Sequence, residues 1–373
     1  MSTAPHPLSP LPTPDRDTPL RPAPLRYAYG TNGLADLRLP DALRLLADLG
    51  YDGVGLTLDH MHLDPLAPDL PARTAETARL LAAHDLTVTV ETGARYVLDP
   101  RRKHHPTLLD PDPDARARRL GLLRVAVRVA AELGAHALHF ASGPRHPDTP
   151  GDEAWALLAD AVAALLPQAE TAGVPLAVEP EPGHLLGDLA GFHRLRRALD
   201  GPQALGLTLD LGHCHCLEPE SPAACVRAAA PWLRHVQIED MRRGVHEHLP
   251  FGEGEMDFPP VLRELRRIRY RGLVTVELPR HSHAGPELAR DSRNFLREAE
   301  RRARRSARPT PRDPSGPPGG GGGSTSPVTP VAPSTASPGT APGTGSVTEP
   351  GCAGEGEGPG RAAPAENGGR RAP

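Results

Sequence analysis

The stretch "ADLGYDGVGL" (residues 47–56) closes an amphipathic segment, turns near a glycine and enters an apolar run. Near the other end of the chain "IRYRGLVTV" (268–276) follows the same plan. Two copies of one helix–turn–strand unit suggest that the sequence between them is built from it too. Short apolar runs recur as RYAYG (26–30), GVGLTL (53–58), LTVTVE (86–91), ALHFAS (137–142), PLAVE (175–179), LGLTLD (205–210), LRHVQIE (233–239) and LVTVE (273–277). Segments with helical periodicity separate them, such as LPDALRLLADLG (39–50) and PPVLRELRRIRYRG (259–272). The second of these has a readable start, with Asp257 as N-cap and prolines in the first turn, where a missing N–H is harmless. Strict alternation of strand and helix implies parallel strands joined by right-handed crossovers. Eight units within residues 25–303 fit a closed barrel. A doubly wound open sheet is the competing arrangement, but no glycine-rich phosphate fingerprint follows the first strand. The expected class is α/β, a (β/α)8 TIM barrel.

Alternate side chains of a barrel strand point inward, and active sites form at the C-terminal strand ends. In the fifth run Ala177 and Glu179 share a face; in the sixth, Thr208 and Asp210; in the seventh, His235 and Gln237; in the eighth, Thr275 and Glu277. The opposite faces carry Leu176/Val178, Leu207/Leu209, Val236/Ile238 and Val274/Val276, suited to packing under helices. Four consecutive strands thus end in an inward oxygen donor, and the third adds Glu91 by the same count. Converging carboxylates repel and are costly to desolvate, a penalty that a divalent cation removes. One divalent metal held by Glu179, Asp210, Gln237 and Glu277 is therefore expected. An all-oxygen donor set favours Mg²⁺ or Mn²⁺ over zinc. The run "LTLDLGHCHC" (207–216) offers four soft ligand types in a row, His213 to Cys216, but no second ligand pair at zinc-finger spacing. Its Asp210 is read as the ligand, and Cys214, His215 and Cys216 as loop.

Composition bounds the rest. The chain has 373 residues and a net charge of −4, with no global pull toward nucleic acid or membrane. Its 38 glycines and 46 prolines concentrate at the ends. No Leu, Ile, Phe, Tyr, Trp or Met follows Leu296, so 306–373 is expected to be a disordered tail that cannot offset the entropy of ordering. Residues 1–24 read as a flexible Pro-rich arm without a signal-peptide core, leaving 25–305 as the barrel. No run of 18 apolar residues occurs, and three of the four cysteines crowd into 214–225, which is no disulfide framework. A cytoplasmic protein is expected.

Taken in order, "LAVEPEPG" (176–183), "LTLDLGH" (207–213), "RHVQIED" (234–240), "PFGEGEMDFPPVLREL" (250–265) and "YRGLVTVEL" (270–278) resemble the xylose isomerase-like TIM barrels. That superfamily includes sugar and sugar-phosphate isomerases and epimerases, and hydroxypyruvate isomerases. The resemblance implies one divalent metal bound through Glu179, Asp210, the position of Gln237, and Glu277. Most members place His where this chain has Gln237; the hydroxypyruvate isomerase branch uses Gln. His213 matches a family histidine that contacts substrate. "HFASGP" after the fourth strand departs from the "HPG" of endonuclease IV-type members, which argues against DNA repair.

The chemistry so implied is isomerisation or epimerisation of a small sugar, sugar phosphate or related hydroxy-carbonyl compound, by proton transfer through a metal-stabilised enediolate. Glu179 and Glu277 would be the catalytic acid–base pair. Asp240, His246 and His248 follow the seventh strand, where they either contact substrate or support ligands, or else form a solvated polar loop. The long stretch 91–111, "ETGARYVLDPRRKHHPTLLDP", reads as a lid whose Arg95, Arg102, Lys103 and His104 could meet an anionic group, with Glu91 and Arg95 as substrate contacts. Asp59 faces inward, whereas His60 and His62 read as loop residues. Two other functions stay open: a metal-dependent dehydratase or lyase acting on a polyol-derived ketone, and a non-catalytic metabolite-binding or trafficking barrel. The expected partner is a small carbohydrate-like molecule, with no nucleic acid and no membrane; a homo-oligomer stays open.

Overall fold

The computed structural model describes residues 24–305. The expected arm (all but Pro24) and the expected tail, 306–373, lie outside the described residues.

Eight parallel strands close into a barrel: β1 (Arg26–Gly30), β2 (Gly53–Thr57), β3 (Thr87–Glu91), β4 (Leu138–Ala141), β5 (Leu176–Glu179), β6 (Leu205–Asp210), β7 (Leu233–Ile238) and β10 (Leu273–Val276), with β10 paired to both β7 and β1. Between β7 and β10 the chain forms an antiparallel hairpin of β8 (Asp240–Arg242) and β9 (Val245–Leu249). The eight apolar runs are the eight barrel strands. Outward positions such as Leu207, Leu209, Val236, Ile238, Val274 and Val276 are buried beneath the helices. Inward positions carry polar groups bonded to one another: His235 Nε2 lies 3.0 Å from Thr275 Oγ1, and Thr208 donates to Ala177 O at 3.1 Å.

The helices are α1 (Leu39–Asp48), α2 (Leu70–Ala83), α3 (Pro113–Leu133), α4 (Gly151–Ala172), α5 (Leu189–Ala198), α6 (Leu211–Leu217), α7 (Pro222–Ala229), α8 (Phe258–Arg267) and α9 (Gly285–Arg305). In α8, Phe258, Val261, Leu262 and Leu265 recur at helical spacing and all turn to the core. Asp257 takes the N-cap position of α8, and prolines occupy its first turn, but the Asp257 side chain makes no capping bond. Caps that do bond are Asp112, Asp188, Asp210 and Ser221.

One of these corrects the sequence reading. Cys214, His215 and Cys216, expected as loop, lie within α6, which Asp210 caps by accepting the N–H of His213 on Oδ1 at 2.9 Å. Cys214 and Cys216 are buried on it, while His215 is half-buried. Among the described residues, no helix is long and apolar enough to cross a membrane.

Candidate metal centre and substrate cavity

Side chains from five strand ends converge at the C-terminal mouth of the barrel. Glu91 ends β3, Glu179 ends β5 and Asp210 ends β6, while Glu239 and Glu277 stand one residue beyond β7 and β10. Glu91, Glu179, Asp210, Gln237 and Glu239 are almost wholly buried. Small residues make the room. A Cβ on Gly55 would stand 2.5 Å from Glu91 Oε1, and one on Gly212 would collide with Glu239 Oε1. The carboxylates need these glycines as neighbours.

Three groups bring potential ligand atoms within 4.8 Å of one another: Asp210, His248 and Glu277; Glu179, Glu181 and His213; and His213, His246 and His248. The donors in these groups are mixed oxygen and nitrogen, so histidine nitrogens stand among the oxygens read from the strand ends. His139 Nε2 lies 2.6 Å from Glu179 Oε2, and Asn32 donates to Glu277 Oε1 at 3.0 Å. Beyond these bonds the cluster is short of partners. Glu179 Oε1, Asp210 Oδ2, Gln237 Oε1, Glu91 Oε1 and both Glu239 oxygens are buried with no hydrogen-bond partner among the described residues. Buried polar atoms are seldom left so, and six in one place mark a site where something else binds.

The proton affinities follow from this crowding. Burial, reinforced by the neighbouring carboxylates, lifts Glu277 and Glu239 well above the usual carboxylate range. Burial also lifts Glu91 and Glu181 to about 7, against the opposing pull of His139 and His213 respectively. Asp210 goes the other way: burial pushes it up, but His213, His248 and the His213 N–H outweigh that. Burial lowers His213, yet Asp210, Glu181 and Glu179 together raise it to about 9, so it is a cation at neutral pH. His246 and His248 are held neutral, at about 4 and about 3, chiefly by burial.

Above the carboxylates opens a cavity of about 620 Å³, within the range of small-molecule sites. Glu179, Glu277, His246, His248 and Arg95 line it, together with Glu181, His139 and Asn32. Asp210 and His213 face a small void beside it. Gln237 and Glu91 are buried and do not line the cavity, with Gln237 in register with Asp210 across β6 and β7. The solvated-loop alternative for residues 240–249 is not what forms. They are the β8–β9 hairpin, and strand alternation turns His246 and His248 to the same side, where His246 Nε2 lies 3.1 Å from His213 Nε2.

Asp240, read as a substrate contact, is committed elsewhere. Its carboxylate accepts backbone N–H groups of Met241, Gly252 and Met256 at 3.0, 2.8 and 3.1 Å and does not line the cavity. Of the charged loop, Arg95, Lys103 and His104 line the cavity, whereas Arg102 is exposed and paired with Asp99 at 2.7 Å. Asp59 lines the cavity while accepting the N–H groups of Met61 and His62; His60 lines it too, and His62 is buried against Leu37 O.

Several residues here were missed in the sequence. Extending the two-residue period of "HVQIE" by one step reaches Glu239, and the same step beyond Glu179 reaches Glu181. The period applied to "LHFA" turns His139 inward. Asn32, Arg119 and Arg280 come from a short 3-10 helix, an α-helix and a loop, and no periodicity announces them.

Residues 43–299 match the family described as xylose isomerase-like TIM barrel. The chain belongs to that family. Among its relatives is the L-ribulose-5-phosphate 3-epimerase UlaE of Salmonella paratyphi A, 25% identical over 239 residues, covering 64% of this chain and 81% of the relative. Solved barrels of the same fold include the 3-keto-D-glucoside 4-epimerase YcjR from E. coli, with a TM-score of 0.60 at 19% identity, covering 74% of this chain and 99% of that one. A D-allulose 3-epimerase from Methylomonas sp. superposes with a TM-score of 0.60 at 22% identity and the same coverage. At these identities the two structures establish the shared fold. The xylose isomerase-like barrel with candidate His and carboxylate ligand clusters is thus the frame for any functional reading.

Proposed function

We propose that this chain is a divalent-metal-dependent isomerase or epimerase of a small sugar, sugar phosphate or related hydroxy-carbonyl compound, with the barrel of residues 25–305 as its working unit. The ligands would be Glu179, Asp210, Gln237 and Glu277. One observation carries the reading: three of these four keep a buried oxygen without a hydrogen-bond partner, and the fourth has a strongly raised proton affinity. Such a set fits a cation. Mg²⁺ or Mn²⁺ remains the first choice for the carboxylate and amide oxygens; the nearness of His248 to Asp210 and Glu277 extends the choice to zinc.

When bound, a divalent cation supplies a Lewis acid that polarises a carbonyl and its neighbouring hydroxyl. The rest falls to the chain. Glu179 and Glu277 project from β5 and from the end of β10, with β6 and β7 between them in the barrel order. A carbon held between the two carboxylates can lose a proton to one and regain it from the other on the opposite face, which is epimerisation. Return of the proton to the adjacent carbon is isomerisation. His139 fixes Glu179 through its 2.6 Å bond, and Asn32 fixes Glu277. His213, backed by Pro180 O at 3.2 Å, would orient a substrate oxygen, with His246 and His248 beside it. The relative named as a 3-epimerase of a ketopentose phosphate supports chemistry of this class.

The test is hydrogen exchange in D₂O. Protein loaded with Mn²⁺, Mg²⁺ or Zn²⁺ should incorporate deuterium alpha to the carbonyl of a ketose or ketose phosphate, and Glu179→Gln and Glu277→Gln should remove that exchange. Exchange that survives both changes sinks the assignment; retained ligand binding without exchange would favour a binding role.

A further inference from the structure

The cavity is electrically polarised. Its floor is carboxylate, but the wall made by the β3–α3 connection, the first half of α3 and the segment after β10 carries Arg95, Lys103, Arg119 and Arg280. Arg119 is the telling one. It is 8% exposed, its guanidinium donates only to Thr92 O at 3.3 Å, and no carboxylate stands within ion-pair distance of it among the described residues. An Arg in the interior normally carries a carboxylate, because a buried charge without a counter-ion is costly. Arg95 repeats the pattern more openly, donating only to Pro279 O at 3.3 Å and so bridging the two cationic segments.

Resting on the proposed function, we propose that this wall is an anion subsite, which selects substrates bearing a phosphate or carboxylate at the end remote from the reacting carbon. The shared chemistry is a compact oxyanion that accepts the planar forks of Arg119 and Arg95, with Lys103 and Arg280 adding charge. Two further observations agree. Burial alone lowers Arg119 to about 10, with no nearby anion to restore it. His104, on the same wall, is lowered to about 4 by burial and then by Lys103, Arg119 and Arg95. The cations repel one another, and a bound dianion would relieve that. A neutral sugar would leave Arg119 without a counter-charge.

Two experiments on the full-length chain separate this inference from the reaction on which it rests. In the first, inorganic phosphate is titrated into chelated protein at low salt, with no turnover required. Binding should weaken about ten- to hundred-fold in Arg119→Gln and in Arg95→Gln, the range for losing a hydrogen bond to a charged group. Arg95 is half-buried, so its variant keeps the test meaningful if the Arg119 variant fails to fold. In the second, metal-loaded protein meets matched pools of ketose phosphates, keto-acids of sugars and neutral ketoses in D₂O. Preference for the phosphates or for the acids supports the subsite and names its anion. Phosphate that binds wild type and Arg95→Gln alike, or not at all, overturns it, as does faster exchange of neutral ketoses. Phosphate binding that needs Arg95, with no exchange in any pool, keeps the subsite and removes the isomerase reading.

Discussion

Carboxylates occupy two contrasting settings in this molecule. On the outer helical layer three glutamates are held by arginines: Glu264 bonds Arg227 and Arg267, Glu298 bonds Arg301 and Arg302, and Glu300 bonds Arg266 and Arg304. There Glu264 and Glu298 are held below the usual range by their arginine hydrogen bonds. At the barrel mouth Glu91, Glu181, Glu239 and Glu277 are raised instead, first by burial. The same side chain is tied down in one place and left under tension in the other. Tension of this kind is what a cation-binding and proton-moving site requires, and the fold around it has to bear the cost.

The contrast can be broken experimentally, and the largest expected effect is on activity. Glu277→Gln should reduce deuterium exchange on the order of 10²–10⁴-fold. Its thermal stability without metal should hold or rise, because Gln is neutral without the proton uptake that burial imposes on Glu277. A lower melting temperature for the chelated variant would show that the mouth carboxylates are structural. Next comes metal itself. A cation added at 100 times its dissociation constant should stabilise the chain by about 2.7 kcal/mol. That shift, read by calorimetry, should shrink in Asp210→Asn and be unaffected in Glu298→Gln.

A smaller effect is expected from pH. In chelated protein His213 rises from 6.5 to about 9, and Glu91 and Glu181 rise from 4.5 to about 7. For all three the folded state holds protons that the unfolded state has released. Stability therefore falls as pH climbs through about 4.5–7 for Glu91 and Glu181, and from 6.5 to about 9 for His213, where the loss is on the order of 1–3 kcal/mol. Below that window His235, His248 and His184, each lowered to about 3, act in the opposite sense. Urea titrations at pH 7 and pH 9 check the sign, and a flat profile would mean that the mouth is not strained. The smallest effect belongs to the outer layer. Glu300→Gln, which loosens bonds of 2.6 and 2.9 Å, should cost about 1 kcal/mol without changing exchange.

How far the sequence could be read depended on whether a residue sat on a periodic element. Glu179, Asp210, Gln237 and Glu277 lie on or just past strands, so counting by two was enough to turn them inward together. Glu239 escaped only because the count stopped one residue early. Asp240 shows the opposite failure: its place after the seventh strand looked functional, but the N–H of Met241 and those of Gly252 and Met256, up to sixteen residues away, claim its carboxylate. The α6 helix was hidden by its ligand-rich composition, although Asp210 is a good N-cap. His246 and His248 required the hairpin to form before they shared a face. Arg119 sits on the buried side of α3, where one charged residue among many gives no signal.

The sequence by itself determined the barrel, because alternation of strand and helix and the two-residue period are local properties of the chain. It also determined which strand ends carry oxygen donors. Only the tertiary structure decided that nitrogen donors stand among them, that Asp240 is spent on the backbone, and that one wall of the cavity is cationic. Those facts depend on contacts between segments up to 184 residues apart, such as Arg95 with Pro279. Such contacts join side chains of segments far apart in sequence, and no local pattern encodes which of them meet.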